Sequence, residues 1–293
     1  MRRVGGLFLL VLLGGAAGAR ADEPLRVIFI GGHPDDCDIK AGGLAAKYAA
    51  AGHKVKFVAV TNGDAGHQTT GGGALARRRQ GEAKEAARRL GIEYDVLENH
   101  DAELLPTLPV RWSLIRLIRQ WKADVVITHR PNDYHPDHRY TGTAVQDAAY
   151  MVVVPNVVPD TPPLRKNPVF LYFADPFERP QPFRPDVVVS IDDVAEKKLD
   201  DLDAHTSQFY EWLPWVDGEV DKVPPPGPER RRWMAGKWLP PVPEAWKASL
   251  AKWYGAEAVA VKHAEAFEVS EYGTRPTEDD LRRLFPFFPP RAK

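Results

Sequence analysis

From residue 26 onward, short apolar runs alternate with longer segments in which apolar residues recur every three or four positions. Residues 26–30, 55–60, 94–97, 124–127, 169–173 and 187–191 are rich in Val, Ile and aromatic side chains and predict strands. Between them, Ala83, Ala86, Ala87 and Leu90 stand at i, i+3, i+4 and i+7. Leu114, Leu117, Ile118 and Trp121 repeat that spacing, as do Val145, Ala148, Ala149 and Val152, so these segments predict amphipathic helices. Strand and helix in alternation predict an α/β fold: a Rossmann-like, mostly parallel sheet with helices on both faces.

The texture changes near Trp212. Prolines at 224–228 and 240–243 interrupt any long helix, and six of the eight tryptophans fall between Trp212 and Trp253. The expected organisation is a catalytic α/β domain over residues 22–211 and a Trp/Pro-rich C-terminal segment, 212–293, packing on it. Its tryptophans are expected as packing residues, with a sugar-stacking or partner-binding surface as the alternative. At the other end, Arg2 and Arg3 precede an apolar run from Val4 to Ala17 and the small-residue step Ala19-Arg20-Ala21. The run is shorter than the roughly 20 residues that span a bilayer as a helix. It predicts a signal peptide cleaved after Ala21 and a secreted or periplasmic protein without a stable membrane span.

Composition narrows the partners. The 39 basic and 40 acidic side chains leave a net charge of -1, so no global field draws the chain to nucleic acid or anionic lipid. With 44% hydrophobic residues a sizeable core is available. Cys37 is the single cysteine, which excludes an intramolecular disulfide and suits a packing role.

The chemistry is carried by two related segments. Gly31-Gly32 ends the first strand and permits a sharp turn into His33-Pro34-Asp35-Asp36; Asn132-Asp-Tyr-His-Pro-Asp-His138 follows the strand at 124–127. His33 and Asp36 are three apart, as are His135 and His138, so each pair can face one point. Strands one and four commonly flank the crevice where an open α/β sheet binds ligands. Two imidazoles and a carboxylate suit Zn²⁺, with another divalent transition metal as an alternative, and leave a position for water. His33, Asp36 and His138 are the expected ligands. Asp35 is the expected general base, accepting a proton from the attacking water. His135, as imidazolium, is expected to hold the oxyanion and protonate the leaving amine, with Asp137 orienting it. The remaining histidines, His129 among them, lack a paired ligand nearby and are expected to be structural or exposed. A dinucleotide site is excluded, because the first turn lacks G-x-G-x-x-G and carries two carboxylates.

With these motifs the chain resembles the LmbE-like, or PIG-L, zinc-dependent N-deacetylases. The resemblance runs from about Val27 to Phe267 and includes Thr61-Asn-Gly-Asp64, Arg79-x-x-Glu82, Ala86-Ala-x-x-Leu-Gly91, Asp101, His205-Thr-Ser-Gln208 and Ala264-Glu-Ala-Phe267. It implies the same ligand, base and oxyanion roles and suggests Arg79 and Asp101 as substrate-binding residues. Where some relatives carry a tyrosine two positions before the histidine matching His135, this chain has Asp133, with Tyr134 beside it. Gln68–Gly73 is expected as a surface loop or a lid. The implied activity is hydrolysis of an N-acetyl group on an amino sugar or glycoconjugate. The alternatives are an amidase acting on a non-carbohydrate substrate and a secreted carbohydrate-binding module.

Overall fold

The structure, a computed structural model, describes residues 23–291. The leader expected over residues 1–21 lies outside the described residues. Seven strands form one sheet: β1 (Arg26–Gly31), β2 (Lys54–Thr61), β3 (Glu93–Asn99), β4 (Val125–Thr128), β5 (Val169–Phe173), β6 (Val187–Ser190) and β7 (Ala264–Gly273), in the order β3-β2-β1-β4-β5-β7-β6. The first five are parallel, and β7 runs antiparallel to both of its neighbours. The six strands predicted from the sequence are all present within a residue or two at each end.

Side chains alternate between two packed faces. Val27, Phe29, Phe57, Val125, Ile127 and Leu171 pack under α1 (Asp36–Ala50). Ile28, Ile30, Val58, Val60 and Val126 pack against α3 (Leu108–Trp121) and α4 (Pro136–Met151). Burial on both faces explains why these strands read as continuous apolar runs. The helical spacings lie in α2 (Gly72–Leu90), α3 and α4, with α4 closing at Met151 and Val152 as its cap.

The C-terminal segment differs from the expectation of a layer packed on a finished domain. After α5 (Ala195–Leu202), α6 (Leu213–Val216), α7 (Pro228–Trp238) and α8 (Lys247–Tyr254), the chain returns to insert β7 between β5 and β6, then ends in α9 (Glu278–Leu284). The sheet is therefore completed by residues beyond 211. The strand was hidden by its carboxylates. Buried Glu265 accepts from the Gly43 and Leu44 N–H groups at 2.9 and 2.7 Å and from Lys198 at 2.6 Å, and buried Glu268 lies 3.4 Å from Arg130.

β1 and β4 are neighbours, while the chain leaves β1 toward β2 and β3 on one side and adds β5 beyond β4 on the other. This reversal opens a crevice at their carboxyl ends, where Ile30 pairs with Thr128. Glycine is required there by close approach. A Cβ on Gly31 would lie 2.7 Å from Asp36 Cβ, and one on Gly32 would lie 2.9 Å from His138 Cδ2.

Candidate active site

Both His-Pro-Asp segments meet in this crevice. His33 Nδ1 lies 3.1 Å from His138 Nε2 and 3.4 Å from Asp36 Oδ2, and Asp36 Oδ1 lies 3.2 Å from His138 Nε2. All three side chains are buried. Ligands about 2.0–2.1 Å from a tetrahedral zinc are separated by about 3.3 Å, so this trio has the spacing of one face of such a shell.

Overlapping donor groups are also close enough for one ion: His33, His135 and His138; Asp36, His129 and His138; and His33, Asp101, His135 and Asp137. Hydrogen bonds separate them. His129 Nε2 accepts from the Gly32 N–H at 3.1 Å, and His135 Nδ1 accepts from the Asp137 N–H at 3.2 Å. Those nitrogens are engaged, whereas His33 Nδ1 and His138 Nε2 face each other and Asp36. The opposite nitrogens of both rings are held by carboxylates: His33 Nε2 by Asp101 at 3.0 Å and Asp137 at 3.2 Å, and His138 Nδ1 by Asp133 at 3.0 Å. Such outer partners fix the tautomer that leaves the inner nitrogen as a donor to metal. The residues therefore fit a divalent ion.

Asp35 lies outside α1 as its N-cap residue and lines the cavity above this group. Its Oδ1 accepts a hydrogen bond from Arg79 Nη2 at 2.9 Å. Burial raises its pKa against the pull of that guanidinium, with Asp36 adding to the rise. This suits a proton acceptor.

Four expectations change. Asp137 holds His135 through its backbone N–H and not through its carboxylate. Its fully buried carboxylate accepts from the Ala102 and Leu104 N–H groups at 2.7 and 3.3 Å and faces His33 instead. Asp101 lines the cavity but is also directed at His33. Burial would raise its pKa, yet the hydrogen bond from His33 and the charges of His33 and Arg79 bring it down to about 2. Arg79 is buried with its fork on Asp35 and the Gly63 carbonyl, 3.2 Å away, so its charge is spent within the site. His135 is half-buried, and burial together with His33 and His138 holds its pKa below the ordinary value. With Nδ1 accepting, the neutral ring carries its proton on Nε2, where an imidazolium was expected.

Two residues escaped the sequence reasoning. Asp133 is buried and holds both the His138 ring and the His135 N–H, the latter at 3.1 Å. His129 is buried 3.2 Å from Asp36 Oδ2 and stacks on His138 with ring centroids 4.1 Å apart. Its place directly after β4, matching that of the turn after β1, was the available signal. Cys37 packs in the core. Residues 67–69 form a short bend ahead of α2, in which His67 Nδ1 accepts from the N–H groups of Thr69 and Thr70, each at 3.2 Å.

The cavity has a volume of about 290 Å³. His33, Asp35, Asp36, Arg79, Asp101 and His135 make its polar side, and Tyr134, Trp212, Leu213 and Val216 its apolar side. A larger cavity of about 530 Å³ between α1 and the C-terminal segment shares only Ile39 with it and contains no residue of the two His-Pro-Asp segments. Elsewhere the paired sequence motifs also meet: the Glu82 carboxylate accepts from Thr206, from the Ser207 N–H and from Ser207 Oγ at 2.5–2.9 Å.

The PIG-L family model, described as GlcNAc-PI de-N-acetylase, matches residues 28–149, a span that contains both His-Pro-Asp segments. A diacetylchitobiose deacetylase of Thermococcus kodakarensis is 32% identical over 204 residues, covering 65% of this chain and 73% of that protein. The crystal structure of the N,N'-diacetylchitobiose deacetylase of Pyrococcus horikoshii matches with a TM-score of 0.63 at 26% identity, over 86% of this chain and 87% of that one. The 4-carboxy-2-hydroxymuconate hydratase of Pseudomonas putida reaches the same TM-score at 18% identity, covering 87% of this chain and 99% of its own, a likeness of fold alone. By its match to the Thermococcus relative and by the family model that spans both motifs, the chain belongs to the PIG-L, or LmbE-like, family of amide hydrolases.

Proposed function

We propose that the protein removes an N-acyl group, specifically N-acetyl, from an amino sugar or glycoconjugate. The observation that carries this is the convergence of His33, Asp36 and His138 with Asp35 beside them at the end of β1 and β4. The sugar assignment is supported by relatives named as deacetylases of diacetylchitobiose and of an acetamido-glucopyranosyl inositol.

In this proposal His33, Asp36 and His138 hold Zn²⁺ or a similar divalent metal. When bound, such an ion polarises the acyl carbonyl and makes water a stronger acid. Asp35 takes the proton of the attacking water as its oxygen bonds to the acyl carbon. Arg79 fixes the Asp35 carboxylate, so the base is aimed before substrate arrives. His135 presents Nε2–H to the developing oxyanion. The C–N bond then breaks, the nitrogen leaves with the proton that Asp35 received, and a free amine and a carboxylic acid result, the acid losing its remaining proton to solvent. Asp101 and Asp137 hold His33, and Asp133 holds His138, through these steps.

Acetate release from N-acetylglucosamine and N,N'-diacetylchitobiose, measured on purified protein, tests the proposal. Activity is expected to vanish with a chelator, return with Zn²⁺, and fall about 10²–10⁴-fold in Asp35→Asn. A fully active metal-free protein would sink it. Export through the leader belongs to the same proposal and rests on the sequence of residues 1–21. A mature N terminus at Asp22 on exported protein is the expected result.

A further inference from the structure

We infer that the cavity of about 530 Å³ between α1 and the C-terminal segment is a binding site for a small amphiphilic acid, an aliphatic or aromatic body that ends in one carboxylate. The cavity shares only Ile39 with the active-site cavity, so this site stands or falls independently of the amide-hydrolysis reading.

Its position is set by the sheet. Ala174 follows β5, Ile191 follows β6 and Ala264 opens β7, so the cavity lies at the carboxyl ends of β5 and β6, along the same edge of the sheet as the active site. That edge is where open α/β sheets take ligands. The cavity also has depth. Ile191, Leu239 and Ala266 are buried at its base, whereas Pro240 and Pro243 are exposed at its rim. Two of the C-terminal tryptophans, Trp238 and Trp246, are partly buried and form walls between base and rim. The volume falls within the roughly 300–1,000 Å³ of sites that enclose a small organic molecule.

The charges in the lining select the head group. Lys198 pairs with Glu265 at 2.6 Å, Asp175 with Arg130 at 2.9 Å and Lys237 with Asp217 at 2.7 Å, so these side chains are neutralised within the protein. His263 donates from Nδ1 to the Pro240 carbonyl at 3.0 Å. Lys40 is the exception. Its Nζ donates to the Ala174 carbonyl at 3.0 Å, and among the described residues no carboxylate forms a salt bridge with it. An ammonium with donors to spare beside prolines and indoles matches one anion on an apolar body. A neutral ligand would displace water from Lys40 without supplying a charge, and a second anionic group would find no partner. The walls are rigid before binding: proline rings form the rim, and Trp238 packs edge-on against Phe209 with centroids 4.8 Å apart. A preorganised cavity loses little entropy when a ligand enters.

Titration calorimetry with octanoate tests the site, with octanol and acetate as ligands that each lack one half of it. Octanoate is expected to bind the wild type with a sub-millimolar Kd, and octanol and acetate at least about tenfold more weakly. Lys40→Met keeps the apolar stem and removes the charge, so octanoate affinity should fall about tenfold while that of octanol holds. Lys40→Arg should restore most of the octanoate affinity. Trp246→Ala removes a wall and should weaken octanoate and octanol alike. Repeating the titration after chelation separates this cavity from the metal site, and the octanoate Kd should not change. No measurable binding to the wild type overturns the proposal. So does octanoate that binds Lys40→Met within twofold of wild type, or that binds only before chelation.

Discussion

Replacing Asp133 by alanine tests whether the site works through its outer carboxylates. Asp133 Oδ1 lies 3.0 Å from His138 Nδ1 and is itself buried, so no water stands ready to replace it. In Asp133→Ala the ring has two choices. It can keep its proton on Nδ1 as a buried donor without an acceptor, which costs about 1–3 kcal/mol. Alternatively the proton moves to Nε2, the nitrogen that faces His33 and Asp36, and blocks it as a ligand. Either route weakens metal binding, and the expected loss is about 10- to 100-fold in affinity, or about 1.4–2.7 kcal/mol. Asp133→Asn keeps an oxygen at the same place without the charge and should fall between wild type and alanine. The assay is competition for Zn²⁺ against a chromophoric chelator, with acetate release measured at saturating metal in parallel. Activity of Asp133→Ala should be restored largely by added Zn²⁺. An unchanged zinc affinity would refute the argument that His138 is held in its donor tautomer by Asp133.

Arg79→Ala leaves the buried Asp35 carboxylate without its partner and should cost about 3–5 kcal/mol, seen as a fall in Tm, together with loss of activity. Unchanged Tm would show that the pair is not desolvated as the structure implies. Lys198→Met should destabilise by a similar amount, because Lys198 donates both to Glu265 at 2.6 Å and to the Ile39 carbonyl of α1 at 2.8 Å. Lys198→Met with Glu265→Gln, which removes the stranded charge, should recover part of that loss in a thermal melt. Gly32→Ala places a methyl 2.9 Å from His138 Cδ2 and 3.3 Å from Asp36 Oδ2, so about 1–3 kcal/mol of overpacking is expected along with weakened zinc binding. Wild-type zinc affinity in that variant would mean the crevice is less tightly packed than its contacts indicate.

The sheet was legible because its parallel strands are buried on both faces and stand out as apolar runs; β7 was not, because Glu265 and Glu268 break the pattern. Spacing along the chain showed that His33 with Asp36, and His135 with His138, can each share a point. Strand order then placed the two pairs together. What spacing could not show is which carboxylate answers which imidazole across the crevice. Asp101 and Asp137 reach His33 from 68 and 104 residues away, and a sequence pattern holds no information on that pairing until β1 and β4 are set side by side. Arg79 misled for the same reason. An arginine near a site reads as a substrate clamp, yet its partner here is Asp35, the proposed base.

The two His-Pro-Asp segments are alike in sequence but enter their helices two residues out of step, and that offset assigns their roles. In the first, Asp35 is the N-cap residue and the helix begins at Asp36. Asp35 therefore stands outside the helix, free to project into the cavity and meet Arg79, while Asp36 opens the first turn. In the second, the helix begins two positions earlier in the motif, with His135 as the N-cap residue and Pro136 at the first helical position, which its fixed φ and missing N–H suit. Asp137 is thereby drawn into the first turn and fully buried, where it accepts from the Ala102 and Leu104 N–H groups and backs His33. His135 caps the helix through Nδ1, which sends its remaining proton to Nε2. One motif leaves its aspartate at the cavity, where the proposed base has to stand, and the other buries the equivalent aspartate to hold the first motif's histidine. The helix start, more than the tripeptide, decides which aspartate can act as a base.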